Sequence, residues 1–358
     1  MKKTQLVPSL MAGLMSVTGA FACTGITFES KDGAYIMART IEAHEFKLDS
    51  RYGIFPPNME YQAQTPNGKT GMKFKNKYGF VGLTVQENTF TVEGLNEAGL
   101  SAGLFFFPDY GRYADYDPNN NAKTIADMEL VTWILGQFKN MDEVQHAIFN
   151  VGVVGIFPNT GTVHYRVGDT TGKQIVIEIV DGQVQIFDNP LGVLTNSPGF
   201  AWHMTNLNNY LHLQPGQVPE QQWGNIVLKS IGTGAGMKAL PGDPTPPSRF
   251  IRAAFYKATA PLRDTARETV VQTFSILNAF DIPTGIEHAV GEAPPELISD
   301  TQWTAVTDLT NRKIYYRTSW NTTIREIDLK RINFGRVKYQ NHPLDEVAEQ
   351  PIEKIDIR

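Results

Sequence analysis

The sequence has very little cysteine. One Cys, Cys23, occurs among 358 residues, so no disulfide can form within the chain and a disulfide-stapled scaffold is excluded. The seven histidines show no HExxH or other paired ligand spacing, and Cys23 has no CxxC partner. We therefore expect no metal site and no cofactor, and we expect Cys23 to serve in chemistry, in lipid anchoring or in packing.

An excess of charge of one sign is also missing. Lys and Arg number 32 against 37 Asp and Glu, the formal net charge is -5, and no block of like charge stands out. A basic surface for nucleic acid is therefore not expected. With 41% hydrophobic and 19% charged residues, the composition is typical of a globular chain.

Long hydrophobic runs are absent after residue 21. Before that point, Lys2-Lys3, the mostly apolar stretch Leu6 to Phe21 and the small-x-small site Ala20-Phe21-Ala22 are typical of a secretory signal peptide. The stretch is shorter than about 20 residues and contains Pro8, which disfavours a spanning helix. Cleavage after Ala22 is predicted to leave a periplasmic or secreted bacterial protein that begins with Cys23.

The strand-like and helical patterns fall into separate groups. Cys23 to Phe28 and Tyr35 to Ala38 alternate in polarity around the turn Lys31-Asp32-Gly33, which predicts an N-terminal hairpin. Helical spacing appears in segments such as Ile125 to Phe138. Consecutive hairpins followed by consecutive helices favour an α+β fold of antiparallel sheets covered by helices. We expect 1–22 to be the signal peptide, 23–340 one domain and 341–358 a C-terminal arm.

A cysteine that follows a signal peptide directly has two functional interpretations. In a lipoprotein, the thiol carries a lipid anchor, but the preceding Ala20 and bulky Phe21 depart from the usual lipoprotein site. In an N-terminal nucleophile, the freed α-amine, with a pKa of about 7.7–8.0, acts as the base for its own thiol. That chemistry needs a cation beside the thiolate, which Arg39 across the hairpin could supply, and an acid such as Glu42 near the amine.

A second nucleophile motif is present in Gly99-Leu100-Ser101-Ala102-Gly103, which matches the G-x-S-x-G of serine hydrolases. That motif requires a strand, a sharp turn at the serine and a helix. The residues after Gly103 are the aromatic run Leu104 to Phe107 and then Pro108, which indicate a strand that enters a loop. We interpret the match as coincidental.

Four segments, in this order, resemble the choloylglycine hydrolase family of penicillin V acylases and conjugated bile salt hydrolases. They are Cys23-Thr24-Gly25-Ile26-Thr27-Phe28 with Arg39 sixteen residues after the cysteine, Gly94-Leu95-Asn96-Glu97-Ala98-Gly99-Leu100, Val193-Leu194-Thr195-Asn196-Ser197-Pro198, and Leu240-Pro241-Gly242-Asp243 with Ser248-Arg249-Phe250. The resemblance extends from Cys23 to about Trp320. It implies an N-terminal nucleophile hydrolase with an αββα sandwich, commonly assembled as a homotetramer.

The resemblance also implies the catalytic residues. Cys23 is the nucleophile with its own α-amine as base, Arg39 steadies the thiolate, Asn196 donates to the oxyanion, and Arg249 supports the site. The residue types suit these roles, since an Asn amide is an oxyanion donor and Arg orients acids or substrate. Glu42 stands where the family usually has Asp, so we expect the contact to the amine to be kept with altered geometry.

The acyl pocket is expected to be aromatic. Bile salt hydrolases carry an Asn in the strand after the Gly-Leu-Asn-Glu turn and penicillin acylases often an aromatic residue, and here Phe105 or Phe106 takes that place. We expect a pocket wall formed by Phe105, Phe106, Tyr110 and Trp202, although such aromatics can equally fill the core. One oxyanion donor would then be a backbone N–H, because Phe has no side-chain donor.

These features predict a cofactor-free amidase that cleaves the side-chain amide of penicillin V through a thioester on Cys23. N-acyl homoserine lactones are further candidate substrates, whose cleavage would quench quorum signals. The alternatives are a conjugated bile salt hydrolase and, from another class, a lipid-anchored binding protein without catalysis. The expected partner is a small N-acyl amide, with neither nucleic acid nor membrane after signal cleavage.

Overall fold

The computed structural model of the chain describes residues 21–357, except 158–160, 289 and 294–295. Most of the predicted signal peptide therefore lies outside the described residues. Its last two residues, Phe21 and Ala22, belong to the first strand of the fold. None of the helices in the described ranges is long and apolar enough to cross a membrane.

The chain forms many short strands and few helices in the described ranges. The strands are β1 Phe21–Glu29, β2 Tyr35–Ala43, β3 Ser50–Phe55, β4 Glu60–Gln62, β5 Lys73–Lys75, β6 Phe80–Val85, β7 Thr91–Asn96, β8 Ser101–Phe106, β9 Thr124–Ala126, β10 Gly152–Val154, β11 Val163–Gly168, β12 Gln174–Val180, β13 Gln183–Asp188, β14 Gln221–Trp223, β15 Ile226–Leu228, β16 Thr301–Asp308, β17 Lys313–Thr318, β18 Arg325–Asp328 and β19 Gln340–Pro343. The α-helices are α1 Leu130–Gln137, α2 Met141–Ala147, α3 Phe200–Asn206, α4 Pro246–Thr259 and α5 Ala266–Leu277.

Two antiparallel sheets form the centre of the fold. The first sheet has the strand order β1-β2-β16-β17-β18, and the second has the order β13-β12-β11-β8-β7-β6-β3-β19. Helices α4 and α5 pack on the outer face of the first sheet, α1 packs on the second, and the inner faces of the two sheets meet where β1 contacts β8. The expected α+β sandwich of two antiparallel sheets between helices is confirmed.

The predicted N-terminal hairpin is present and is longer than expected. Its turn closes at Gly33, whose φ of +81° suits a residue without Cβ. The register pairs Cys23 with Ile41 and Gly25 with Arg39. Because alternate residues of a strand face opposite sides, Cys23 and Arg39 share the inner face, and Glu42 projects toward the helices.

Two boundaries differ from the prediction. The arm expected to begin at residue 341 starts inside β19, which pairs with β3 at the edge of the second sheet and is followed by the buried Leu344. The helix expected from Ile125 begins only at Leu130, because residues 124–126 form β9 in parallel with β10. In both places a pairing with residues far along the chain overrides the local pattern.

Candidate active site

The thiol of Cys23 lies between the two sheets, against the guanidinium of Arg39. Arg39 Nη2 donates to Cys23 Sγ at 2.7 Å, and both side chains are buried. The other donors of Arg39 are fixed by backbone carbonyls, since Nη1 donates to Val92 O at 2.9 Å and Leu104 O at 2.6 Å, and Nε donates to Thr40 O at 3.2 Å. The guanidinium is therefore held rigidly by both sheets with one edge toward the sulfur.

Opposing influences act on the Cys23 thiol. Burial raises its pKa above the ordinary value because a thiolate loses hydration there, and the negative charge of Glu42 acts in the same direction. The guanidiniums of Arg39 and Arg249 and the backbone N–H of Phe106 lower it, since each stabilises the thiolate. In the uncleaved chain burial dominates, and the pKa is raised.

Asn196 connects Cys23 to the rest of the site. Its Oδ1 accepts from the backbone N–H of Cys23 at 2.9 Å and from Arg249 Nη2 at 2.7 Å. Its Nδ2 donates to the carbonyl of Phe106 at 2.8 Å. A primary amide carries two N–H groups, and this contact uses one of them. The second N–H can serve a developing oxyanion beside Sγ, together with the N–H of Phe106.

Arg249 holds Cys23 from the helix side of the first sheet. It lies in the first turn of α4, where Nη1 donates to the carbonyl of Cys23 and, at 2.9 Å, to Thr24 Oγ1. Its Nε donates to Pro244 O at 2.7 Å, within the loop that precedes the helix. Arg39 thus fixes the sulfur and Arg249 the backbone of the same residue, from opposite faces of β1.

Glu42 is buried on the face of the sheet that carries Arg249. Its Oε1 accepts from Thr301 Oγ1 at 3.2 Å, and its Oε2 is buried without a hydrogen-bond partner in the described structure. Burial raises the pKa of Glu42 to about 8, against the influence of Arg249. A buried carboxylate with a vacant oxygen is stabilised by a cationic donor. The register places Glu42 opposite Ala22, beside the bond whose cleavage would free such a donor.

The aromatic residues predicted to line the pocket separate into three environments. Phe105 is not at an open wall: it is fully buried, with the Arg39 guanidinium 4.2 Å from its ring centroid, so that prediction is corrected to a core position. Phe106, the next residue of β8, is half-buried, and its N–H reaches the sulfur. Tyr110 and Trp202 are 52% and 46% exposed, and they lie beside the buried Phe107 and His203.

Sequence reasoning missed the charged side chains behind the predicted residues. Glu93 of β7 and Arg166 of β11 are buried next to Arg39, and His164 and Glu178 form a buried pair at 3.2 Å. The available signal was a charged residue within an apolar strand, which requires a buried partner. Across the described ranges, no cluster of three or more His, Cys, Asp or Glu side chains is arranged to hold a metal ion.

His203 supports the loop that carries Asn196. Its Nε2 lies 2.8 Å from the Asn196 carbonyl, its ring stacks on Phe250 at 4.6 Å, and its Nδ1 is buried without a hydrogen-bond partner. Burial lowers the pKa of His203 to about 4. The neutral ring with a proton on Nε2 satisfies this arrangement.

Comparison with known proteins agrees with this geometry. The family model of linear amide C–N hydrolases, choloylglycine hydrolase family, matches residues 23–344. A bile salt hydrolase/transferase of Clostridium perfringens is 35% identical over 319 residues, which cover 87% of this chain and 93% of that protein. A penicillin V acylase of Pectobacterium atrosepticum is 24% identical over 359 residues, covering 93% of this chain and 88% of the acylase.

A solved structure shares the fold. The crystal structure of a conjugated bile acid hydrolase variant from Clostridium perfringens superposes with a TM-score of 0.82 at 30% identity, covering 93% of this chain and all of that one. The N-terminal nucleophile hydrolase fold implied by the sequence motifs is thereby confirmed. The matched region ends at Leu344, where the buried part of the chain also ends.

The depressed pKa of His203 predicts a dependence of stability on pH. The unfolded imidazole, with a pKa of about 6.5, binds protons in a range where the folded one does not, so stability falls as pH drops from about 6.5 toward 4. His203→Gln keeps an N–H donor. Between pH 7.5 and 5, we expect its free energy of unfolding to fall by about 2 kcal/mol less than that of the wild type. Urea unfolding at both pH values measures this difference.

The exposed His146 provides the matched control. His146→Gln makes the same exchange of side chain on the surface of α2, away from the site, and is the reference for His203→Gln. Glu42 and Asp127 also titrate near neutral pH, but they do so in all three proteins and cancel in the comparison. Identical pH dependence in the wild type and His203→Gln would contradict the assignment.

Proposed function

Because the chain belongs to the choloylglycine hydrolase family of linear amide C–N hydrolases, we propose that it is an amidase whose nucleophile is the thiol of Cys23. The observation that carries the proposal is the 2.7 Å contact between Sγ and Arg39 Nη2, with Asn196 and Arg249 on the backbone of the same residue. A guanidinium beside a buried sulfur favours the thiolate, which is the reactive form.

The proposed reaction requires that the bond between Ala22 and Cys23 is cut. The freed α-amine takes the thiol proton, and Sγ attacks the carbonyl carbon of the substrate amide. The tetrahedral oxyanion accepts from the N–H of Phe106 and the second N–H of Asn196. The α-ammonium then protonates the leaving nitrogen, the C–N bond breaks, and the acyl group remains on Sγ as a thioester. Water, deprotonated by the same amine, hydrolyses the thioester.

Glu42 is proposed to hold the α-amine. Glu42 is paired with Ala22 across the hairpin, and its Oε2 has no hydrogen-bond partner. A positively charged α-ammonium beside Oε2 would offset the cost of burying the carboxylate. Asn196 Oδ1, which accepts from the Cys23 nitrogen, would supply the second acceptor. Two acceptors fix the direction of the remaining lone pair once the ammonium loses its proton, so that the base faces Sγ.

The proposed substrates are amides with an apolar or aromatic acyl group. The backbone N–H of Phe106 reaches the sulfur and its side chain offers no polar group, while the exposed rings of Tyr110 and Trp202 belong to the loop after β8 and to α3. Aromatic faces favour an apolar acyl group over one that needs polar partners. Penicillin V is the first candidate of this class. N-acyl homoserine lactones belong to the same class, and their cleavage would quench quorum signals.

Conjugated bile salts are the second candidate substrate class. The observation in their favour is the similarity to the Clostridium perfringens bile salt hydrolase/transferase, which exceeds the similarity to the Pectobacterium penicillin V acylase. The catalytic steps proposed above are the same for both classes. Only the shape and polarity of the acyl pocket would separate them.

The location is proposed from the N-terminal sequence alone. Lys2-Lys3, the apolar stretch to Phe21 and the small residues before Cys23 support export and cleavage after Ala22, which gives a periplasmic or secreted enzyme. A lipid on the Cys23 thiol would block the nucleophile, and acylation of its amine would remove the base. The lipid-anchored binding protein is therefore the alternative that excludes catalysis.

A homo-oligomer, a tetramer by family resemblance, is also proposed. The hairpin of β14 and β15 is exposed along its whole length, and the apolar side chains on and near it are Leu211, Trp223, Ile226, Val227, Leu228 and Ile231. Large exposed apolar side chains concentrated in one segment indicate a surface that is covered by another chain. A second copy of this chain would bury them.

The nucleophile proposal predicts a large loss of turnover in Cys23→Ser. A hydroxyl is far less acidic than a thiol and gains less from Arg39, so we expect kcat/KM to fall on the order of 100-fold or more. Hydrolysis of penicillin V and glycocholate by the processed protein is measured, with Cys23→Ala as the baseline and the unfolding temperature as the check on folding. Wild-type rates in the folded Cys23→Ser protein would refute the thiol nucleophile.

The same assay ranks the substrate classes. An aromatic acyl pocket predicts a kcat/KM for penicillin V at least about tenfold above that for glycocholate. The reverse ranking would assign the protein to the bile salt hydrolases and reject the first candidate.

The oligomer proposal predicts a shift in mass. Wild-type protein should sediment as an oligomer, and the double variant Trp223→Lys/Ile226→Lys should sediment mainly as smaller species, because charged side chains disrupt an apolar contact. Val271→Lys, at an exposed apolar position on α5, is the matched control and should behave as wild type. A monomeric wild type would contradict the proposal.

A further inference from the structure

A buried pair of opposite charges lies directly behind Arg39. Arg166 Nη2 is 3.5 Å from Glu93 Oε1, and Arg39 Nη1 is 3.7 Å from Glu93 Oε2. The three side chains are at most 2% exposed. Charged groups are rarely buried so completely without a specific partner, because the loss of hydration costs several kcal/mol per ion. The proposed chemistry gives neither Glu93 nor Arg166 a role.

The strand register brings the pair together across a glycine. On the second sheet, Glu93 is paired with Gly103, and Gly103 is paired with Arg166. The three residues therefore form one row across β7, β8 and β11. A Cβ at Gly103 would lie 2.1 Å from Glu93 Oε2, so any side chain there would expel the carboxylate. The G-x-S-x-G match in the sequence thus ends on a glycine that makes room for this pair.

The first sheet has a matching gap on the facing side. A Cβ at Gly25 would lie 2.8 Å from Arg166 Nη1, and Nη1 donates to the carbonyl of Ala38 at 3.0 Å. The Phe105 ring lies beside both guanidiniums, 4.2 Å from that of Arg39 and 5.3 Å from that of Arg166. Arg166 therefore spans from the second sheet to the strand that carries Arg39.

The inner face beside Sγ carries an excess of positive charge. Arg39 and Arg166 carry two positive charges and Glu93 one negative charge, which leaves one positive charge beside Sγ. From the helix side, Arg249, Glu42 and, after cleavage, the α-amine face Cys23, and β8 presents the N–H of Phe106. A thiolate on Cys23 is the group that neutralises the remaining charge.

We propose that Glu93 and Arg166 are positioning residues, which hold the Arg39 guanidinium against Sγ and set the net positive charge that stabilises the Cys23 thiolate. The inference rests on the proposed role of Cys23 as the nucleophile. Arg166 supplies positive charge behind Arg39, and Glu93 limits that charge while it anchors both guanidiniums.

The electrostatics of the groups agree with this arrangement. Burial raises the pKa of Glu93, and Arg166 and Arg39 oppose the rise. Burial lowers the pKa of Arg166, and the negative charges of Glu93 and of ionised Cys23 oppose the fall. The thiolate and Arg166 thus stabilise each other across the position of Arg39.

The test is the pH titration of the thiolate by its ultraviolet absorbance in the processed protein, with Cys23→Ala as the baseline. Because Cys23 is the sole thiol, the signal reports this residue alone. We expect Arg166→Met to raise the thiol pKa and Glu93→Gln to lower it, each by about one unit, a tenfold change in the thiolate ratio. Arg166→Lys, which keeps the positive charge, should leave the thiol pKa close to the wild-type value.

Two further variants keep the test decisive. Glu93→Gln/Arg166→Met removes one charge of each sign and keeps the net charge beside Sγ, so it should fold if a single variant does not, with a thiol pKa near the wild-type value. Arg325→Met removes a guanidinium that is paired with Asp345, away from Cys23, and should leave the titration unchanged. Shifts of the same sign in Arg166→Met and Glu93→Gln, no shift in either folded variant, or a double variant shifted further than both would overturn the proposal.

The titration is independent of substrate. A protein with the predicted opposite shifts but without amidase activity would refute the proposed function and leave the positioning role intact. Amidase activity without the opposite shifts would refute the positioning role and leave the proposed function intact.

Discussion

The arrangement of the site depends on one constraint: β1 is buried on both faces, and a different arginine reaches Cys23 from each. Arg39 approaches the sulfur from the inner face, where its donors bind carbonyls of both sheets, and Arg249 approaches the backbone from the helix side. If either guanidinium moved, a buried carbonyl or a buried charge would lose its partner. The loss of a partner costs more free energy in the interior than at the surface. Cys23 is therefore held in place without a substrate, which is the condition for electrostatic stabilisation without reorganisation.

Charge inside a packed sandwich needs space as well as partners. Gly25 and Gly103 provide that space, because a Cβ at either position would collide with Arg166 or Glu93. Phe105 fills the gap between the guanidiniums with a ring face, which attracts cations. The core between the sheets thus combines apolar packing with a short row of charges that ends at Sγ.

The sequence predicted those features that follow from local pattern. The hairpin, its turn at Gly33 and the position of Arg39 diagonal to Cys23 follow from period-two alternation and turn chemistry. Asn196 and Arg249 were found only through resemblance to known motifs, because the loop of one and the helix of the other meet β1 through tertiary packing. The same limit explains the misses: Arg166 meets Glu93 only after three strands align, and Phe105 and Phe106 exchange inner and outer positions with a shift of one residue.

The proposed chemistry depends on a Cys23 whose amine has been freed by cleavage and whose thiol attacks the substrate amide. The most direct measurement is the intact mass of the secreted protein before and after brief mixing with excess penicillin V or glycocholate. The account predicts a mass that matches residues 23–358 and a transient acyl adduct with one of the two compounds, which is absent in Cys23→Ala. A lipid-sized increment, a retained leader, or turnover by the Cys23→Ala protein would contradict it.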